Sequence, residues 1–218
     1  MFIIEMRQYN FNKKFGIKFW LASDVNNKYV VNGFPYLGKD ATKPLTIHLS
    51  EFVVLKLIEP FTFSWRNVTT DNFFTSLSLA SKLLQKHTTL VGTIRANKRE
   101  LPKLTKLKND ILPLYSSVIY RSSNATLSIY KSKPTKKVLV LSTKHNSVKT
   151  EGDKNKPETI IFYNKTKFGV DVTDQMARKY TVKSCSQRWP LQIFFNILDL
   201  AAINAWVLYN ETCGENIS

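Results

Sequence analysis

Between residues 15 and 95 the hydrophobic period switches repeatedly between two and 3.6, and this alternation constrains the fold more than any other feature of the chain. Phe15 to Ser23, FGIKFWLAS, is apolar and aromatic and predicts a buried strand that ends at Asp24 and a polar turn. Tyr29 to Leu37 predicts a second strand, with Gly33 and Pro35 marking an edge or an irregularity, so the two form a hairpin. Leu49 to Glu59 follows a helical period, with Ser50 as cap and Pro60 as stop. Phe61 to Thr70 is rich in aromatic and β-branched residues, predicts another strand, and ends at Asp71. Thr75 to Lys86 gives a second helix, with Leu77, Leu79, Ala80, Leu83 and Leu84 on one face, and Thr89 to Arg95 a further strand. Strand, strand, helix, strand, helix, strand predicts an α/β fold: a mixed sheet with flanking helices.

Residues 95–149 differ in character. Thirteen Lys and Arg stand there against Glu100 and Asp110 alone, and this segment carries most of the net charge of +16. Such an excess points to nucleic acid as a partner. SSVIYRSS, ATLSIYKSK and KKVLVLST read as short antiparallel strands, so residues 96–157 are expected to form a basic β-rich insertion between core segments 1–95 and 158–218. Lys98, Arg99, Lys131, Lys133, Lys136 and Lys137 are its candidate phosphate contacts, and Lys183 and Arg188 extend the set beyond it. Gly152 to Pro157 reads as a solvated loop and Thr159 to Tyr163 as one more strand. Two cysteines exclude a disulfide framework and a four-cysteine zinc site. MFIIEMRQYN is too short in its apolar run for a signal peptide, and a nuclear location is expected. The closing run LQIFFNILDLAAINAWVLYN is long enough to span a membrane, but Gln192, Asn196, Asp199 and Asn204 favour a buried helix with no membrane partner.

Asp171 and Asp174 stand three apart at the start of a predicted helix, which puts both carboxylates on nearly the same face. They could simply complement the helix dipole, and Asp24 could be an ordinary turn aspartate. Alternatively, Asp24 and Asp71 at two strand ends converge with Asp171 at a helix start. Three such carboxylates form an oxygen cage for one or two divalent ions, the arrangement that activates a nucleophile and stabilises the leaving oxygen in phosphodiester chemistry.

The runs MRQYNFNKKFGIKFWLASD, YVVNGFPYLG, NVTTDNFFTS, LVGTIRANKRELP, YNKTKFGVDVTDQM and RWPLQIFFNILDLAAINAWVLYN, in this order, resemble the catalytic domain of piggyBac transposases and piggyBac-derived domesticated proteins. The likeness extends from about Met6 to Asn210 and weakens between Lys103 and Lys156. It implies an RNase H-like fold with an insertion. It also implies catalytic and metal-binding roles for Asp24, Asp71 and Asp171, a fourth acidic position at Asp174, and magnesium or manganese as cofactor. The implied activity is cleavage of double-stranded DNA at transposon ends and insertion at TTAA sites. A homodimer is left open. Where that family reads Gly-Gly before Val-Asp, this chain has Phe168-Gly169, and a left-handed backbone there would be costly for Phe and would displace the loop before Asp171. The family's N-terminal region and cysteine-rich module fall outside these 218 residues, so a truncated or domesticated copy that is not autonomous is expected. A non-catalytic domesticated DNA-binding protein is the alternative reading.

Overall fold

The computed structural model describes residues 1–10, 16–36, 38, 43–107, 112–182 and 188–213. In chain order the elements are β1 (Phe2–Asn10), β2 (Gly16–Asp24), β3 (Val30–Tyr36), α1 (Leu49–Ile58), β4 (Asn67–Thr70), α2 (Leu77–Gln85), β5 (Thr89–Thr93), β6 (Ser117–Arg121), β7 (Thr126–Lys133), β8 (Lys136–Ser142), β9 (Thr150–Glu151), β10 (Lys156–Pro157), α3 (Glu158–Thr166), α4 (Gly169–Lys179) and α5 (Trp189–Cys213). They divide between two compact units, one formed by Met1–Leu45 with Phe168–Ser218 and the other by Thr46–Lys167.

In the first unit β2 lies between β1 and β3, both antiparallel to it. The β2–β3 hairpin follows its expected course, and a register shift at Ala22/Ser23 falls just before Asp24. β1 was not foreseen, because its apolar run is short and turns polar early. Ile3, Leu21, Val25 and Val170 form a buried cluster that seats the start of α4 on β1 and β2. Gly169, Val170, Thr173 and Ala177 give α4 its buried stripe. Thr173 Oγ1 lies 3.0 Å from both Lys28 O and Gly169 O, which ties that stripe to the β2–β3 turn.

α5 forms over the expected residues but is not the buried helix that its polar residues led us to expect. Its buried positions are Gln192, Asp199, Ile203 and Val207, whereas Phe194, Ile197, Trp206 and Leu208 are exposed. The segment Pro190–Cys213 is long and apolar enough to cross a membrane by length and composition, and 22% of its most apolar window is buried. The polar residues explain which stripe turns inward. Asp199 accepts hydrogen bonds from Thr181 Oγ1 (2.7 Å) and Val182 N (2.8 Å). The Asn204 amide pairs with both backbone groups of Val30, accepting from its N–H (2.8 Å) and donating to its carbonyl (2.9 Å). These partners offset the cost of removing the polar groups from water.

In the second unit the strand order is β4-β5-β8-β7-β6, with β4 and β5 parallel and the others antiparallel. Residues 96–157 thus supply β6, β7 and β8, and β8 continues the sheet from β5. α1 buries Val53, Val54, Leu57 and Ile58; α2 buries Leu79, Ala80 and Leu83. Ser76 Oγ caps α2 by accepting from Leu79 N at 3.1 Å, a cap worth about 1 kcal/mol. α1 starts at Leu49 as expected, but its N-cap is His48 rather than Ser50, with no side-chain cap bond.

Two further expectations in this unit are corrected. The strand expected over Phe61 to Thr70 is confined to Asn67–Thr70, because Phe63 and Trp65 adopt φ of 61° and 49°, outside the extended region. Thr159 to Tyr163 is helical, as part of α3. A five-residue run of β-branched and aromatic residues cannot by itself distinguish a strand from a helix segment, and Glu158 in the first turn extends it into one.

Candidate functional site

Asp24 ends β2 and Asp71 directly follows β4, as the strand-end reading requires. The two are held alike. Asp24 Oδ1 accepts from Asn26 N at 2.9 Å, and Asp71 Oδ1 accepts from Phe73 N at 2.9 Å. Each is an Asx turn, in which the carboxylate fixes its own orientation through the amide two residues on. One oxygen of each aspartate is engaged in this way. The α-amino group of Met1 stands 3.9 Å from Asp24 Oδ2.

Close glycine contacts position both turns. Gly92 of β5 lies under the loop that carries Asp71. A Cβ there would meet Thr75 Oγ1 at 2.3 Å and Thr70 O at 2.6 Å. Thr75 needs that space: its Oγ1 donates to Asp71 O (2.7 Å) and sits 2.8 Å from Thr70 Oγ1, and its N–H also bonds Asp71 O. In the first unit, Gly169 lets the first turn of α4 approach the end of β2. A Cβ there would stand 2.5 Å from Ile3 Cγ2, 3.4 Å from Ser23 Oγ and 3.6 Å from Asp24 O. Asp171 lies in that first turn and is exposed. The structure therefore brings the end of β2 and the start of α4, which carry Asp24 and Asp171, side by side within one unit.

Phe168 does not impose the strain expected of it. It is the N-cap of α4 with φ −91°, so no left-handed backbone is demanded. Asp174 lies one turn further along, largely buried, with Oδ2 2.8 Å from Arg178 Nη2. That ion pair, within one helix, engages one oxygen of Asp174.

Aspartate oxygens are hard donors of the kind magnesium and manganese take, so the chemistry of Asp24, Asp71 and Asp171 fits such an ion. Among the described residues, no three or more His, Cys, Asp or Glu side chains are grouped closely enough to hold a metal ion.

The candidate phosphate contacts are unequal. Arg99, Lys133, Lys136 and Arg188 are exposed, and Lys98 and Lys131 are partly buried. Lys137 Nζ donates to the carbonyls of Leu104 (2.7 Å) and Leu107 (2.5 Å), so its ammonium anchors a neighbouring loop. Lys183 lies outside the described residues.

The family model described as Transposase IS4 matches residues 4–206. PiggyBac transposable element-derived protein 2 of Homo sapiens is 26% identical over 226 aligned residues, covering 93% of this chain and 37% of that protein. A solved piggyBac transposase, in a synaptic complex with hairpin DNA, superposes with a TM-score of 0.90 at 35% identity, covering all of this chain and 49% of that one. The fold is RNase H-like, as the resemblance implied. The chain spans less than half the length of both relatives.

Proposed function

Since the chain belongs to the piggyBac-type Transposase IS4 family, we propose that it is the catalytic domain of a DNA transposase, in which Asp24, Asp71 and Asp171 bind magnesium or manganese for cleavage and transfer of DNA strands. The observation that carries this reading is the matched pair of strand-end aspartates. Each is oriented by a backbone amide through one oxygen, and in Asp24 the second oxygen faces the Met1 α-amino group. Asp171, in the first turn of α4, supplies the third carboxylate. When bound, the ion activates the attacking oxygen and stabilises the leaving one. The chain's own contribution is to fix two carboxylates in advance through the Asx turns and to seat α4 through Gly169. Asp174, paired with Arg178 along α4, is the fourth acidic position in this reading.

Double-stranded DNA is the proposed substrate. The excess of basic residues and the DNA bound by the piggyBac transposase relative support it. Arg99, Lys133 and Lys136 are its first phosphate contacts, ahead of Lys137. Excision between two transposon ends is assigned to a longer protein, because the chain matches less than half of each relative. A nuclear location follows from that substrate.

The test is manganese-dependent nicking of a supercoiled plasmid and of a family transposon-end duplex. Nicking that disappears in both Asp24→Asn and Asp71→Asn supports the reading. DNA binding without any metal-dependent nicking, unchanged in those variants, would favour a non-catalytic DNA-binding protein.

A further inference from the structure

A cavity of about 300 Å³ opens in the second unit between the segment before β4, the β6–β7 turn and the residues after β8. Its volume is at the lower end of the range for small-molecule sites, ~300–1,000 Å³. Three side chains define its chemistry. Trp65 supplies an indole that is 69% exposed, with His87 tilted against it at 4.7 Å between ring centres. Its backbone is held at φ 49°, an expensive conformation for an aromatic residue and one that concentrates at ligand sites. Arg121, at the end of β6, is exposed and makes no side-chain hydrogen bond or ion pair among the described residues. Lys144, which follows β8, has its ammonium 5.3 Å from the Phe162 ring. The hydroxyls of Ser122, Ser123 and Thr143 complete a polar wall, and no Asp or Glu lines the cavity.

An open aromatic plate beside two cations and several hydroxyls, with no carboxylate, matches a flat apolar heterocycle joined to a phosphate. We infer that this cavity binds one nucleotide, with the base stacked on Trp65 and its phosphate between Arg121 and Lys144. The inference deepens the DNA-binding reading above: an unpaired nucleotide turned out of a duplex presents this chemistry. A free nucleoside monophosphate presents it too, and the experiment separates the two sources.

Fluorescence anisotropy with the 218-residue chain compares a labelled duplex carrying one unpaired adenine with its fully paired counterpart. Titration with dAMP, followed through the backbone amide signals of Ser122 and Thr143, forms the second arm. The unpaired adenine should improve binding by about fivefold or more, the lower end of what one base–aromatic stack supplies. Trp65→Ala and Arg121→Ala should bring the two duplexes within about twofold of each other while affinity for the paired duplex holds, and Trp65→Phe should keep the preference. Saturable dAMP binding that Trp65→Ala abolishes, without a preference for the unpaired adenine, would assign the cavity to free nucleotides. Equal binding of the two duplexes together with no dAMP response would overturn the inference. So would a preference that survives Trp65→Ala. Failure to bind any duplex would count against the DNA-binding reading alone, and the dAMP arm would still decide the cavity.

Discussion

Gly92→Ala tests how Asp71 is positioned. The added Cβ would stand 2.3 Å from Thr75 Oγ1, 2.6 Å from Thr70 Oγ1 and 2.6 Å from Thr70 O. A hydroxyl can rotate away, but Thr70 O belongs to the backbone of β4 and moves only with the strand. Overpacking of a tight site costs ~1–3 kcal/mol. A backbone obstacle in a buried strand places this case at the upper end. Replacing Gly in a strand returns roughly 0.5–1 kcal/mol. The net loss should be about 2 kcal/mol, or a melting temperature lower by about 4–8 °C for a chain of this size. Circular dichroism on heating reads the loss. Hydrogen exchange at the Thr75 amide, which bonds Asp71 O, reads whether the Asp71 loop has moved. Adding Thr75→Ala should recover less than half of the loss, because Thr70 O remains in place. An unchanged melting temperature with full protection at Thr75 would refute the idea that Gly92 makes room for this turn.

Three other outcomes follow from the same packing and burial. Gly169→Ala should lower stability to urea by about 1 kcal/mol through contact with Ile3, a residue only 2% exposed; the double variant with Ile3→Ala should lose less than the sum of the two single changes. Asn204→Leu removes both hydrogen bonds to Val30 and should cost ~1–3 kcal/mol, with increased exchange at the Val30 amide. Burial lowers the pKa of His145 below its usual value near 6.5, so the unfolded chain binds the proton more readily. Stability from this group is complete above that value and declines as pH falls through it towards the folded pKa. Chemical denaturation between pH 7.5 and about pH 5 should become flatter in His145→Gln.

The positions of Asp24 and Asp71 were legible because a short run of apolar, aromatic and β-branched residues reads as a buried strand and both residues stop one. The helical start around Asp171 was legible from its polar and apolar period. What the sequence concealed is the support. Gly92 and Gly169 look like any strand or loop glycine until the atoms that a Cβ would strike are known. The five β-branched and aromatic residues from Thr159 carry no period and were misread as a strand, while Phe63 and Trp65 read as strand residues but adopt left-handed backbone. The polar residues scattered through α5 pointed to a buried helix, yet Gln192 and Asp199 are themselves buried and much of its apolar surface is exposed. A polar residue that finds backbone partners can outcompete an apolar one for a buried position, and one-dimensional patterns do not record partners. Lys137 was indistinguishable from Lys136 in sequence, and only its bonds to Leu104 and Leu107 set it apart.

The central claim is that Asp24, Asp71 and Asp171 bind a divalent ion. Calorimetric titration of manganese into the 218-residue chain tests it most directly, alongside Asp24→Asn, Asp71→Asn and Asp171→Asn. Asparagine keeps the Asx-turn acceptor at positions 24 and 71, so those two variants should remain folded. The account predicts saturable binding by the unsubstituted chain, with stabilisation of about 2.7 kcal/mol at a hundredfold excess over Kd. It also predicts at least about tenfold weaker binding in each variant. Equal manganese affinity in all four folded proteins, or no binding by the unsubstituted chain, would contradict it.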